Sequence, residues 1–402
     1  MNIGIRIRTV RKYKNLTLKE LGDLAGIHFV RLGKFERGIE KPTQEILKRI
    51  EKALNIKFEN ILMIDEQIES LFSDFINSCF YHFDDFHSFI KIINENRELF
   101  QASAHYSKIL IIEYTIAVLQ KQTDTIDQLE ILLEQYIEVG TREYIFYNEY
   151  KAVKYHQQRN VASALGYMNK SLTSFHCDKM TAMAYYHASF IYKDIFMYDE
   201  ASAALTKAKN ILTNHSSYRR AFYCDLQFAS IYVRRKQYEN SIRLYDSCIE
   251  SSRILILNDS IYSRIVRNKA WAYLLMKEYD LCLNTLETIK QIDDNQLITT
   301  LYKSWCYYFT KKFNTAKKTI ESNFQFINDE KYGKEFQLLL ELTNIYDEKP
   351  TKRVIKFAES LYDSYNLAQR SEDTVFVLNL LINLLTRRND TEKLIKYLKI
   401  SI

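Results

Sequence analysis

Arg31, Lys34 and Arg37 recur every three residues, which lines permanent cations along one face of a helix. His28, Phe29 and Val30 stand just ahead of them. An exposed helix of this make-up can bond base edges and phosphates in a DNA major groove. Catalysis has no comparable footing. The chain holds no nucleophile elbow, phosphate-binding glycine loop or paired metal-ligand motif. His82 and His87 are five apart, off a common helical face. Cys79, Cys177, Cys224, Cys248, Cys282 and Cys306 form no C-x-x-C pair and read as reduced, packed thiols. No enzyme activity, cofactor or metal is expected.

The cations belong to a helix-turn-helix pattern. Thr17 is an N-cap, and Glu20 three residues on completes a capping box. Leu18, Leu21, Leu24 and Ala25 recur at helical spacing, and Gly26 ends that helix. A second short helix is predicted from about His28 to Arg37, stopping at Gly38. A helix over 3–13 precedes the pair, with Ile5, Ile7 and Val10 inward and Arg6, Arg8, Arg11 and Lys12 outward. Another runs over about 44–54, and Phe58, Ile61 and Leu62 close the unit near Ile64. The stretch resembles the Xre, or lambda-repressor-like, helix-turn-helix family over about residues 1–64. Ala25-Gly26-Ile27 is similar to its turn, and Lys34-Phe35-Glu36-Arg37-Gly38 to its recognition-helix end. The resemblance implies base-edge roles for Phe29, Val30, Arg31 and Lys34. It implies phosphate roles for Arg37 and the start of the first motif helix at Thr17, with His28 at the same surface. Leu18 stands where the family has a glutamine that contacts phosphate, and His28 where it has a small polar residue.

Charge placement agrees. Residues 1–60 hold 14 Lys and Arg against 7 Asp and Glu, whereas the other 342 residues hold 42 against 43. A basic head on a near-neutral body fits a nucleic-acid-binding head. Five of the eight glycines lie in the first 38 residues, and the only prolines are Pro42 and Pro350. So few turn-formers after residue 64 predict an all-α chain: a head over 1–64 and a helical body over 65–402. No run reaches the roughly 18 apolar residues of a membrane span, and the N-terminus lacks a signal-peptide pattern, so a cytoplasmic protein is expected. Phe72, Phe75, Ile76, Phe80, Phe83 and Phe86 read as core packing.

Beyond residue 140 a repeat emerges. Tyr155, Tyr192, Tyr232, Tyr273 and Tyr307 align at intervals of 37, 40, 41 and 34. Three residues before each is a small side chain: Ala152, Ser189, Ala229, Ala270 and Ser304. Six after comes a large one, Val161, Tyr198, Tyr238, Tyr279 or Phe313. Three further on stands Ala164, Ala201, Ser241, Cys282 or Ala316. Small residues let two helices approach and large ones fill the space beside them, so each unit is a helical hairpin. The pattern resembles the tetratricopeptide repeat, which implies a superhelix whose first helices line a concave face. By position, that face takes Tyr186, His187, Tyr223, Gln227, Arg264, Arg267, Asn268, Trp271, Tyr302 and Trp305. Gln227 and Asn268 can bond both N–H and C=O of a peptide, and the two arginines can hold a carboxylate.

An Xre-like head on a tetratricopeptide body resembles the RNPP/Rgg class of peptide-sensing transcription regulators. That resemblance implies a homodimer, a DNA operator, and a short signalling peptide in the concave groove. The other readings are an adaptor whose repeats bind a protein partner, and a regulator without a ligand.

Overall fold

The computed structural model describes residues 3–82, 86–101, 103–173, 179–289, 296–345, 349–367 and 371–401. Cys177 and Phe83 lie outside them. Every regular element among these residues is helical. The head comprises α1 (Ile3–Tyr13), α2 (Leu18–Ala25), α3 (Phe29–Glu36) and α4 (Gln44–Leu54). α5 (Phe58–Tyr81) runs unbroken past residue 64, and α6 (Phe86–Glu95) and α7 (Arg97–Gln101) follow. Hairpins then succeed one another: α8 (Tyr106–Gln120) with α9 (Thr123–Tyr136), α10 (Arg142–Gln157) with α11 (Val161–Leu172), and α12 (Lys179–Asp194) with α13 (Tyr198–Asn214). Next come α14 (Tyr218–Arg234) with α15 (Tyr238–Ile254), α16 (Asp259–Met276) with α17 (Tyr279–Glu287), and α18 (Gln296–Phe309) with α19 (Phe313–Glu321). Last are α20 (Gly333–Asn344) with α21 (Lys352–Leu367), and α22 (Ser371–Arg388) with α23 (Thr391–Ser401).

Two compact units result. One holds residues 1–191 and 206–220, the other 192–205 and 221–402. Within the first, Ile7, Val10, Leu21, Ile27, Leu32, Phe35, Ile50 and Leu54 form a core for the head alone. A second core gathers Ile64, Phe72, Phe75, Ile109, Tyr114, Phe146 and Tyr150. The second unit has one continuous core from Phe222 to Tyr397.

The repeat signature has a direct structural meaning. All ten small residues, from Ala152 to Ala316, are fully buried. Val161, Tyr198, Tyr238, Tyr279 and Phe313 are each the first residue of a second helix. Ser241 Oγ donates to the Ala229 carbonyl at 2.9 Å, so two of the small positions meet across one hairpin. Tyr155 stacks on Tyr167 at 5.3 Å across another.

Glycine is scarce because other residues turn the chain. Four residues after each aligned tyrosine, Arg159, Phe196, Lys236, Lys277 and Lys311 take positive φ, between 58° and 66°. The amide of Lys277, for example, donates to Leu274 and Tyr273 carbonyls at the end of α16. Ile256 also adopts φ 50°, with 86% of its surface exposed. A left-handed β-branched residue is strained by about 1–2 kcal/mol, and here no packing offsets it. Ile256→Gly should therefore stabilise the protein by about 0.5–1 kcal/mol, once glycine's entropy cost is subtracted. A urea titration giving equal or lower stability would contradict this.

Candidate nucleic-acid and peptide interfaces

The turn between α2 and α3 is held at both ends. Glu20 N donates to Thr17 Oγ1 at 3.2 Å, and Thr17 N donates to Glu20 Oε2 at 2.7 Å. That backbone bond holds the Glu20 carboxyl below its ordinary range. Gly26 takes φ 62°. Arg49 of α4 donates to the Ala25 carbonyl at 2.9 Å and also to that of Gly26, which rivets the turn from below. Gly4 lets α1 press on the end of α3, since a Cβ there would lie 1.8 Å from the Phe35 carbonyl oxygen.

Two expectations for α1 are overturned. Arg6 and Arg11 point inward, 5% and 9% exposed, while Ile5 is 46% exposed. Arg11 forms two bonds to Glu36, Nε to Oε1 at 2.6 Å and Nη2 to Oε2 at 2.9 Å, and also donates to the Leu16 carbonyl. The hydrogen bond to Glu36 raises the guanidinium's pKa further. Arg6 reaches Asp65 at 3.0 Å, and Ser103 donates to the same carboxylate. Arg11 satisfies the buried Glu36 carboxylate and Arg6 supplies the counter-charge of buried Asp65, which outranks their polarity on a helical wheel. Leu24, on the expected apolar stripe of α2, is 62% exposed.

α3 itself presents its cations outward. His28 is its N-cap residue rather than its first turn. His28, Phe29, Val30, Arg31, Lys34 and Arg37 are all exposed. Arg31 is paired to Glu40 at 2.7 Å, a half-exposed contact of the kind that contributes little and breaks readily. Leu18 lies against α3: a Cβ on Gly33 would sit 3.7 Å from Leu18 Cδ1. A helix of about two turns with this face has the dimensions and charge to enter a major groove.

The ten concave-face residues divide between the units. In the first unit, Tyr186 is nearly buried beneath the Arg220 guanidinium, 5.4 Å from its ring centroid. His187 Nδ1 lies 2.8 Å from the buried Glu149 carboxylate. In the second unit, Tyr223 and Arg264 make a cation–π contact at 5.6 Å, and Arg264 and Asn268 are exposed. Gln227 is 6% exposed. Its Oε1 accepts from Lys193 Nζ at 3.4 Å, which orients the amide, and its Nε2 has no hydrogen-bond partner. Lys193 also donates to Ser230. Lys193 was not legible as part of this group, because it lies one residue past the aligned tyrosine of another hairpin.

The remaining expected lining residues pack inward. Arg267 is 4% exposed. Trp271 stacks on Tyr302 at 5.1 Å and meets Phe376 of α22 at 5.4 Å. Trp305 is fully buried. Its Nε1 donates to Glu335 Oε1 at 2.7 Å, its ring meets Phe376 at 5.2 Å, and Tyr365 OH donates to Glu335 Oε2. Trp305, expected on the concave face, is thus closed off from a ligand, because Phe376 of α22 packs against both tryptophans. Among the described residues no group of three or more His, Cys, Asp or Glu is placed to hold a metal ion. No described helix is long and apolar enough to cross a membrane. The five described cysteines are buried and none is in a disulfide; a hydrogen bond to Cys282, with burial, pushes the Cys306 thiol far up, so it stays protonated.

Residues 7–61 match the helix-turn-helix family HTH_3, so the head is a helix-turn-helix domain of Xre type. No curated protein matches the chain by sequence. By structure it is similar to the apo form of the quorum sensor NprR from Bacillus thuringiensis, with 17% identity and a TM-score of 0.64 over 84% of this chain and 98% of that one. It is similar to a Rap protein complexed with competence and sporulation factor, at 14% identity and TM-score 0.65 over 84% and 97%. NprR in complex with its cognate peptide NprX also matches, at 17% identity and TM-score 0.52 over 80% and 99%. The chain therefore has the fold of NprR and of this Rap protein, and its head is a helix-turn-helix domain.

Proposed function

We propose that this protein is a cytoplasmic transcription regulator that binds operator DNA through α3 and a short signalling peptide through its repeats. The observation that carries the peptide half is Gln227. A buried amide N–H₂ without a partner costs about 1–3 kcal/mol; one turn before it on α14 stands the half-buried Tyr223, in cation–π contact with Arg264, which like Asn268 one turn further along α16 is exposed. A peptide carbonyl satisfies that amide, and the Arg264 guanidinium suits a carboxylate. The similarity in fold to the NprR–NprX complex supports the same reading. The DNA half is supported by the exposed cations of a helix-turn-helix domain. A homodimer is part of the proposal, since two heads related by a two-fold axis read half-sites about 34 Å apart or a multiple of that. The peptide acts by binding one arrangement of the body better than another.

Gln227→Leu tests this. The substitution keeps approximate volume and removes an unsatisfied group, so thermal stability should hold or rise. Operator affinity without peptide should be unchanged, and the shift caused by the peptide fraction of spent culture medium should fall about tenfold or vanish. A variant that still responds fully would remove Gln227 from the peptide site.

A further inference from the structure

Phe196 occupies the left-handed position of its hairpin turn, with φ 65° and 63% of its surface exposed. The equivalent positions elsewhere carry Arg159, Lys236, Lys277 and Lys311, so the backbone does not ask for an aromatic ring. With Tyr198, Val233, Tyr238, Leu275 and Val375, the Phe196 ring lines a mainly apolar cleft of about 120 Å³ within the second unit. Val375 is 45% exposed there. A dry apolar cavity of about 150 Å³ accepts a benzene ring, so this cleft has room for one leucine-sized side chain.

Its polar edge consists of Arg234, Lys236 and Asn379. Arg234 is paired with Asp194 at 3.2 Å. Lys236 and Asn379 are exposed, and neither side chain has a hydrogen-bond or ion-pair partner among the described residues. The cleft thus offers one apolar slot, one unpaired cation and one free amide. Lys236 follows Gln227 by nine residues along α14 and its turn. That separation is about 13 Å by helical rise, which about four extended peptide residues span.

We propose that this cleft receives the C-terminal residue of the signalling peptide. An aliphatic side chain fills the space between Phe196, Leu275 and Val375, the terminal carboxylate pairs with Lys236, and Asn379 bonds the last peptide group. The chain end fits better than an internal segment, because the slot holds one side chain and the unpaired charge at its mouth matches a carboxylate. This assignment rests on the peptide-sensor reading and adds to it the class of ligand: a peptide with a free C-terminus and a bulky aliphatic last residue.

The test uses the full-length protein and two random octapeptide libraries ending in leucine, one as free acid and one as C-terminal amide, read by isothermal titration. The free-acid library should bind about tenfold more tightly than the amide. Lys236→Gln should abolish that difference, and Phe196→Ala should weaken both; each replaces an exposed side chain, and circular dichroism verifies folding. Equal binding of acid and amide, with Gln227→Leu weakening both, would overturn the cleft assignment and leave the peptide-sensor reading standing. Binding of neither library would overturn both.

Discussion

Alanine at both Arg31 and Lys34 should weaken operator binding about a hundredfold or more at fixed salt. Each base-edge contact in a major groove discriminates by about 1–3 kcal/mol, and the two side chains lie three residues apart on the exposed face of α3. Neither anchors the core: Lys34 is exposed, and the half-exposed Arg31 pairs with Glu40 and lies over the Phe35 ring at 5.5 Å, contacts of a kind that contribute little at the surface. Folding and peptide binding should therefore be retained. Arg37→Ala should act differently, weakening specific and non-specific DNA alike and lowering the salt slope by about one. Unchanged operator affinity in the double variant, by fluorescence anisotropy, would remove α3 as the reading element.

The second large effect concerns the joint between the head and α5. Arg6 of α1, Asp65 of α5 and Ser103 ahead of α8 share one nearly dry contact. Asp65→Ala leaves the Arg6 guanidinium buried without a counter-charge, and removing one member of a buried pair costs about 3–5 kcal/mol. Replacing both members by apolar residues of similar volume is commonly neutral. Arg6→Met with Asp65→Leu should therefore recover most of the stability that Asp65→Ala loses. Such recovery, measured by urea denaturation, would identify the pair as costly to break but dispensable as a unit. If the double variant is as unstable as the single one, the contact contributes by geometry as well as charge.

The same contact marks where the sequence stops being legible. Helical periodicity placed Ile7 and Val10 in the core correctly, because both side chains are wholly apolar. It failed for Arg6 and Arg11, whose partners Asp65 and Glu36 are 59 and 25 residues away. Nothing local distinguishes a cation that meets water from one that meets a buried carboxylate. The hairpins were legible because their constraint is steric and local: a residue at Ala229 or Ala270 must be small wherever the chain closes on itself. The helix-turn-helix was legible for a similar reason, since Thr17, Glu20 and Gly26 act within single turns.

The concave face was only partly legible. Its register follows from the repeat, so Tyr223, Gln227, Arg264 and Asn268 could be located by spacing. The burial of Trp271 and Trp305 could not, because it depends on Phe376, which lies 105 and 71 residues further on. The turns were likewise hidden, since lysines at 236, 277 and 311 do the work usually signalled by glycine. Phe196, the one aromatic in that series, looks like an ordinary hairpin residue until its exposure is known.

The most direct test is an anisotropy titration of the full-length protein on labelled DNA flanking its own gene. It is run at one salt concentration, with and without the small-peptide fraction of spent culture medium. A peptide-gated regulator binds that DNA well above its affinity for unrelated sequence, and the fraction shifts the midpoint several-fold in a manner abolished by Gln227→Leu. Weak, salt-sensitive binding that is the same on both DNAs and indifferent to the fraction would contradict the proposed function.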